Sequence, residues 1–267
     1  MKYLLALVAV LAIMLAACGG GDDGEDNEAA PAASPQATTG ASPEPEETGA
    51  APTAEGTVEN RDEVEELLNA AALQPEDLPE GFVLDEDMFT TNDDASLEAG
   101  GVNQPTLEDF NNWGRVLGYD ATYSDPDALT SLLEGGTLSL TVTTTLYEDS
   151  DGAGEALDYV RDQAEDPQFL QDFEDTIASS TMEVTEADIS PISLAELGDD
   201  RQAYEMSIKA HSTDLDEDFE FIAQLMGIRR DRLIGAVTLI TINTSPPEGQ
   251  LEDLARTLDG RMDDALD

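Results

Sequence analysis

The sequence is poor in basic residues, cysteine, histidine and tryptophan. Its 267 residues include 11 basic and 60 acidic residues, one Cys, one His and one Trp. The formal net charge of −49 argues against nucleic acid as a direct partner, because phosphate binding requires a basic surface. One Cys excludes an internal disulfide and a multi-cysteine zinc site. One His leaves His-based catalysis to a single position, so we expect no metal, no cofactor and no enzymatic activity.

Residues 1–17 have the pattern of a secretion signal. Lys2 provides a minimal positive region, and residues 4–17 form an unbroken run of 14 apolar or small residues. As a helix this run covers roughly 21 Å. Because that is short of the ~30 Å hydrocarbon core of a membrane, the run predicts a cleaved signal peptide and not a permanent span.

The run ends in Leu15-Ala16-Ala17-Cys18, followed by three glycines. This segment resembles the lipobox of prokaryotic lipoproteins. The resemblance implies that the thiol of Cys18 is diacylated, that Cys18 becomes the mature N-terminus, and that the lipid holds the chain on the extracytoplasmic face of the cell membrane. The alternative is an ordinary signal peptide with an incidental Cys.

The next segment has the composition of a spacer. Residues 19–57 carry nine acidic residues, no Lys or Arg, and no aromatic or aliphatic residue larger than Ala. Nothing there compensates the entropy of ordering, so residues 18–57 are predicted to be a lipidated Cys and a disordered acidic tether. A binding tail is the alternative. Residues 58–267 are predicted to be one globular domain.

Hydrophobic periodicity in this domain alternates between helical and strand patterns. Helices are predicted from Asn60, over Pro105–Trp113, over Gly152–Glu165, from Pro167, and after an N-cap at Ser245. Strands are predicted around Phe82–Leu84 and over Val116–Tyr123, Thr137–Tyr147, Met182–Ile189, Arg201–His211, Phe219–Ile228 and Leu233–Asn243. Residues 90–104 are predicted to be loop. This order favours an α+β class, with a mostly antiparallel sheet packed against helices in a two-layer sandwich.

The strand over Leu233–Asn243 is apolar on both faces. One face carries Leu233, Val237 and Leu239, and the other carries Ile234, Ala236, Ile240 and Ile242. Such a strand is central and covered twice. We expect one face to pack on the final helix. The other must meet another layer, a partner or an enclosed apolar cavity.

A second resemblance rests on turn and packing positions. They are Asp77-Leu78-Pro79-Glu80-Gly81-Phe82, Gly114-Arg115, Gly118-Tyr119, Tyr123 and Leu197-Gly198-Asp199. This layout resembles actinobacterial-type lipoprotein domains, some of which are similar to the Mog1/PsbP α/β sandwich. The resemblance implies a binding or accessory role more than an enzyme.

Few residues are candidates for a site. Arg229, Arg230 and Arg232 cluster in one predicted hairpin turn, which predicts an anion or partner contact; charge balancing by nearby carboxylates is the alternative. His211 is expected to be an exposed histidine. The D-x-D-x-D pattern that starts at Asp214 lacks the Gly and Glu of an EF-hand, which leaves at most a loose cation site.

Three functions remain open. The first is a lipid-anchored extracytoplasmic binding or accessory domain with a small or hydrophobic ligand. The second is an envelope protein-interaction or structural module. The third is a hydrolase, which would need a cleft joining His211 to a buried acid. A deep apolar pocket favours the first, and an exposed apolar patch the second.

The acidity itself generates a prediction. Residues 58–267 hold 51 acidic against ten basic residues, so the surface repels itself at low salt. If the protein works in high salt, its melting temperature at neutral pH rises steeply between low and molar NaCl, as measured by circular dichroism. A flat dependence would contradict this hypothesis and leave two alternatives, an acidic medium or an acidic patch for a cationic partner.

Overall fold

The computed structural model describes residues 60–98, 105–126, 136–177 and 182–267. The predicted signal peptide, Cys18 and the tether lie outside these residues. The helices are α1 (Arg61–Ala71), α2 (Asn92–Glu98), α3 (Leu107–Asn112), α4 (Ser150–Glu165), α5 (Pro167–Ile177) and α6 (Gln250–Leu266). The strands are β1 (Val83–Thr90), β2 (Arg115–Ser124), β3 (Gly136–Tyr147), β4 (Met182–Pro191), β5 (Asp200–Ser212), β6 (Glu217–Arg230) and β7 (Leu233–Ile242).

The strands form one seven-stranded sheet in the order β1-β2-β3-β7-β6-β5-β4, with every neighbouring pair antiparallel. It consists of two meanders, β1–β3 and β4–β7, which join where β3 pairs with β7. The central position of β7 follows from its two apolar faces. The predicted α+β class, with an antiparallel sheet packed against helices, is confirmed.

Helices α1 and α6 cover one face of the sheet. Asn60 caps α1 by accepting a hydrogen bond from the backbone N–H of Asp62. The apolar stripe of α1 is buried against α6 and the strands, as its spacing predicts. This core includes Val64, Leu68, Ala71, Val142, Leu233, Val237, Leu254, Leu258 and Met262.

Helices α4 and α5 cover the other face. They connect β3, in the middle of the sheet, to β4 at its edge, so the connection must cross a face of the sheet. Leu157 of α4 is buried there, and Leu170 of α5 packs against the core that contains Met206, Ile208 and Phe221. The middle strands therefore lie between two helical layers, which adds a layer to the expected sandwich.

The start of the final helix differs from the prediction. Helix α6 begins at Gln250 with Gly249 as its N-cap at φ 81°, and not after Ser245. Pro246 precedes Pro247, and a residue before proline is driven out of the helical region of backbone space. The chain therefore turns through this segment, and the helix starts after it.

The predicted loop over residues 90–104 also needs correction, because α2 forms within it. The Asp94 carboxylate accepts hydrogen bonds from the backbone N–H and the hydroxyl of Thr91, at 3.0 and 2.6 Å. These bonds satisfy donors at the start of the helix and lower the pKa of Asp94, the hydroxyl bond being the larger cause. Residues 99–104 lie outside the described residues.

Two glycines test the packing of α6. A Cβ at Gly235 would lie 2.5 Å from Sδ of Met262 and 2.9 Å from Cδ2 of Leu258, whereas one at Gly260 would meet nothing within 4 Å. Gly235→Ala should lower the free energy of unfolding by about 1–3 kcal/mol through overpacking. Gly235 lies on β7; Gly260→Ala, at an exposed position of α6, is the control and should raise the free energy of unfolding by up to ~1 kcal/mol. Urea unfolding measures both, and equal stability of Gly235→Ala and the unmodified chain would contradict this packing.

Candidate functional site

A partly open cavity of about 170 Å³ lies between α3, α4 and the face of the sheet that α4 covers. Its size is comparable to that of an engineered 150 Å³ cavity that binds benzene. Most of its surface is apolar. The apolar and aromatic lining includes Phe110, Trp113, Tyr147, Ala156, Leu157, Tyr159, Val160, Phe169, Ile189, Tyr204, Leu225, Ile234 and Ala236. The polar lining consists of Arg115, Thr143, Thr145, Gln163, Gln202 and Thr238.

The floor of the cavity is the second apolar face of β7. Ile234, Ala236 and Thr238 contribute to it, and Gly227 of β6 lies beside Ala236 in the register. A Cβ at Gly227 would lie 3.1 Å from Cδ1 of Leu157, so α4 closes tightly over the sheet at that point. The second face of β7 thus meets another layer and a cavity, which are two of the three possibilities that its pattern left open.

Glycine also positions the start of α4. Asp149 caps the helix, and its carboxylate accepts a hydrogen bond of 2.8 Å from the backbone N–H of Gly152. Any Cβ at Gly152 would overlap the carbonyl oxygen of Trp113. The close approach that glycine permits brings α4 against the end of α3, and the two helices form one wall of the cavity.

That wall is aromatic. The Trp113 ring lies 5.8 Å from the Phe110 ring, edge to face, and 5.1 Å from the Tyr159 ring. Such pairs contribute about 0.5–1.5 kcal/mol beyond the area they bury. Burial raises the pKa of Tyr159, and the charge of Asp109 adds to the effect. The phenol of Tyr159 therefore stays neutral at physiological pH.

Helix α3 is held at its N-terminus by a reciprocal cap. The backbone N–H of Thr106 donates to the Asp109 carboxylate at 2.8 Å, and the backbone N–H of Asp109 donates to the Thr106 hydroxyl at 3.3 Å. The Thr106 hydroxyl also donates to that carboxylate. These bonds, the hydroxyl first, lower the pKa of Asp109. The cap thereby orders the short helix that carries Phe110.

Two glutamines supply unsatisfied polar groups. Gln163 of α4 and Gln202 of β5 both line the cavity, and the side-chain oxygen of each is buried with no hydrogen-bond partner. Gln202 is only 9% exposed. Leaving a buried acceptor unpaired costs about 1–3 kcal/mol, so two such groups in one cavity are informative about what fills it.

The lining contains one charged residue among those that the structure describes. Arg115 is 5% exposed and donates to the carbonyl and hydroxyl oxygens of Thr90 and to the side-chain oxygen of Asn92, at 2.9–3.1 Å. Its guanidinium carbon lies 5.4 Å from the centre of the Phe110 ring. No carboxylate belongs to this lining. Although the chain has 60 acidic residues, none of them belongs to the described lining.

An ion pair fixes α4 to the sheet beside the cavity. Nη2 of Arg161 lies 3.1 Å from the carboxylate of Asp200 at the start of β5. Partial burial raises the pKa of Asp200, but the hydrogen bonds from Arg161 and from the backbone N–H of Arg201 outweigh it, so the net pKa is lowered. The carboxylate therefore stays ionised and paired at neutral pH.

Two arginines of the turn predicted from the sequence lie close to acidic residues of other elements of the chain. Arg230 donates to Asp259 at 2.9 and 2.7 Å and to Asp263 at 2.7 Å, which ties the β6–β7 hairpin to α6. Arg229 lies 3.8 Å from Asp199. The carbonyl of Arg232 accepts a hydrogen bond from Tyr147. For Arg229 and Arg230 this arrangement favours charge balancing; an anion or partner contact by the turn stays a prediction.

His211 lies at the turn between β5 and β6. Its Nδ1 is 2.8 Å from Asp218 and its Nε2 is 3.8 Å from Asp216, whose side chains are 90% and 98% exposed. These acids are not the buried acid in a cleft that the hydrolase hypothesis requires. Within the described ranges, no group of three or more His, Cys, Asp or Glu residues is placed to hold a metal ion, and Asp214 belongs to no such group.

Neither the two glutamines nor the aromatic wall was predicted from the sequence to be part of a site. Gln163 lies on the polar face of a predicted helix, and Gln202 lies near the start of a predicted strand. Neither position carries a motif. The available signal was the set of small residues on the facing elements, Gly152, Ala153 and Ala156 on α4 with Gly227 and Ala236 on the sheet, which marks a close helix-to-sheet approach.

No protein family model and no curated protein matches the chain. A solved structure, the extracellular domain of PknH from Mycobacterium tuberculosis, aligns with a TM-score of 0.41 and 8% identity, over 75% of this chain and 96% of that one. Similarity at this level establishes neither a shared fold nor a shared function. Among the helices of the described segments, none is both long and apolar enough to cross a membrane.

The cap of α3 gives a prediction with a spectroscopic readout at the cavity. Because the folded-state pKa of Asp109 lies below its usual value of ~3.9, the cap stabilises the fold above that pH and is lost as the pH falls through the lowered pKa. Asp109→Ala should remove about 0.5–1 kcal/mol of stability at neutral pH and shift the emission of Trp113, the only Trp.

The control is Glu108→Ala, which changes an exposed acid of the same helix. Acidifying the unmodified protein below about pH 4 should move its Trp113 emission towards that of Asp109→Ala at neutral pH. If Asp109→Ala and Glu108→Ala have the same emission and stability, the cap does not order the cavity wall.

Proposed function

We propose that the chain is a lipid-anchored extracytoplasmic domain that binds a small, mostly apolar ligand in the cavity between α4 and the sheet. The observation that carries the binding role is the cavity itself, with its apolar lining and unpaired glutamine oxygens. The anchor rests on the lipobox resemblance at Cys18, and the accessory character on the resemblance to the Mog1/PsbP sandwich. Under this proposal the acidic surface keeps the domain in solution above the membrane.

The distribution of exposed apolar residues supports ligand binding over protein docking. In the described segments, the exposed large apolar side chains are spread over the start of β1, the region of α3 and β2, helix α4 and the β5–β6 turn. The residues are Val83, Leu84, Leu107, Val116, Val160 and Leu215. Scattered apolar residues of this kind are ordinary on a monomer surface. Val160 belongs to the cavity lining, which places one of them at the proposed site.

Mass spectrometry of the intact chain, purified gently from its native membrane, tests both parts of the proposal. Under native conditions the mass should exceed that of the lipidated chain by the mass of a ligand, and this excess should vanish on denaturation. A diacyl group on Cys18 is covalent and should remain. An equal mass before and after denaturation would contradict the binding role, and an unmodified Cys18 would contradict the anchor.

A cavity-filling variant connects the ligand to this cavity. Ala236→Phe should fill the floor of the cavity and reduce the ligand-bound fraction at least tenfold, because the ring occupies the ligand's volume. Ala70→Phe, at an exposed position of α1 outside the cavity, is the matched control and should retain the ligand. If both variants bind equally, the ligand lies elsewhere.

A further inference from the structure

We infer that the ligand carries a neutral hydrogen-bond donor group, such as a hydroxyl or an amide, on an otherwise apolar body, and that the side-chain oxygen of Gln163 or of Gln202 accepts a hydrogen bond from it. The inference rests on the proposed function, because it assigns the polar end of the ligand for the same cavity. It goes further by naming the chemistry that distinguishes this ligand from a plain hydrocarbon.

The first step is the state of the two amides. The side-chain oxygens of Gln163 and Gln202 are buried without a partner, and both residues line one cavity although they come from a helix and a strand. Buried acceptors in folded proteins are almost always paired. A ligand that donates a hydrogen bond would supply the missing partner, whereas a hydrocarbon would leave both oxygens unpaired.

The second step concerns charge. A cationic donor such as an ammonium needs a carboxylate nearby when buried, and the described lining has none. An ionised carboxylate ligand cannot donate to a glutamine oxygen. The cationic side chain of Arg115 already donates to Thr90 and Asn92. A neutral donor is the chemistry that fits the lining.

The third step concerns size and shape. A cavity of about 170 Å³ takes a single six-membered ring. The aromatic wall of Phe110, Trp113 and Tyr159 offers ring faces and edges to an apolar body. A cyclic alcohol therefore represents the class: cyclohexanol presents one hydroxyl, methylcyclohexane replaces it with a methyl group, and cyclohexanecarboxylate replaces it with an anion.

The test titrates the full chain with these three probes. The readout is the emission of Trp113, which lines the cavity and is the only Trp of the chain. After each affinity is divided by the probe's partition coefficient from water to a hydrocarbon solvent, cyclohexanol should bind at least fivefold more tightly than methylcyclohexane, since one hydrogen bond to a buried acceptor contributes at least that factor. It should also bind more tightly than cyclohexanecarboxylate.

Variants assign the preference to the two amides. At least one of Gln202→Leu and Gln163→Leu should reduce the preference for cyclohexanol, and an unchanged preference in both overturns the assignment. Each should raise the melting temperature of the free protein, because each removes an unpaired buried acceptor. A purely structural glutamine would lower the melting temperature when replaced. Gln224→Leu is the matched control: Gln224 lies on β6, outside this lining, and donates to Glu205 at 2.9 Å, so the preference should persist.

The outcomes separate the inference from the proposed function. Equal partition-corrected affinity for cyclohexanol and methylcyclohexane overturns the inference while the binding role stands. Tightest binding of cyclohexanecarboxylate overturns it in favour of an anion site at Arg115. If no probe changes the emission of Trp113, the cavity takes no ligand of this size, and both the inference and the proposed site fail. If Gln202→Leu does not fold, Gln202→Met, which is close to glutamine in size and has no amide oxygen, replaces it in the test.

Discussion

The burial of both faces of β7 is the constraint on which the rest of the structure depends. A strand that is apolar on both sides must lie in the middle of a sheet and be covered twice. Helix α6, which follows β7 directly, covers one face, and the crossing connection of α4 and α5 covers the other. Gly235 and Gly227 permit the close approach of α6 and α4 on opposite faces. The sheet order, the two helical layers and the position of the cavity all follow from this arrangement.

The two layers differ in how completely they fill. Against α1 and α6 the sheet presents large aliphatic residues that pack into a continuous core. Against α4 the sheet presents large residues such as Leu225 and Ile234, but also several small ones that leave space below the helix: Gly227, Ala236, Thr143, Thr145 and Thr238. The aromatic residues of α3 and α4 close the side of this space without occupying it. A cavity beside a well-packed core is the consequence, and it is the feature that supports a ligand-binding role.

The chain as a whole is strongly acidic, whereas the lining of the cavity is mostly apolar and contains no acidic residue among those described. Acidic residues dominate the composition, yet the described lining holds no carboxylate and one arginine that donates to neutral oxygens. In contrast, Arg230 of the β6–β7 hairpin pairs with two acids of α6, and Arg229 pairs with Asp199 of the loop between β4 and β5. Arg115 and Arg230 therefore hold neighbouring elements together, whereas the remaining polar side chains of the described cavity lining are neutral.

The sequence alone determined the element types and most of their bounds, because helical and strand periodicities are local properties: the stripe of α1 and the alternation of β3 needed no tertiary information. It also determined that β7 is central. The predicted start of α6 was wrong because the prediction placed the N-cap at Ser245, whereas Pro247 keeps Pro246 out of the helical conformation. Helix α2 was not predicted because its apolar pattern is short. Only the tertiary structure decided which side chains meet. Gln163 and Gln202 are 39 positions apart in the sequence and line the same cavity because α4 crosses β5. A local sequence pattern does not predict such a contact, because the contact forms only when distant segments pack together.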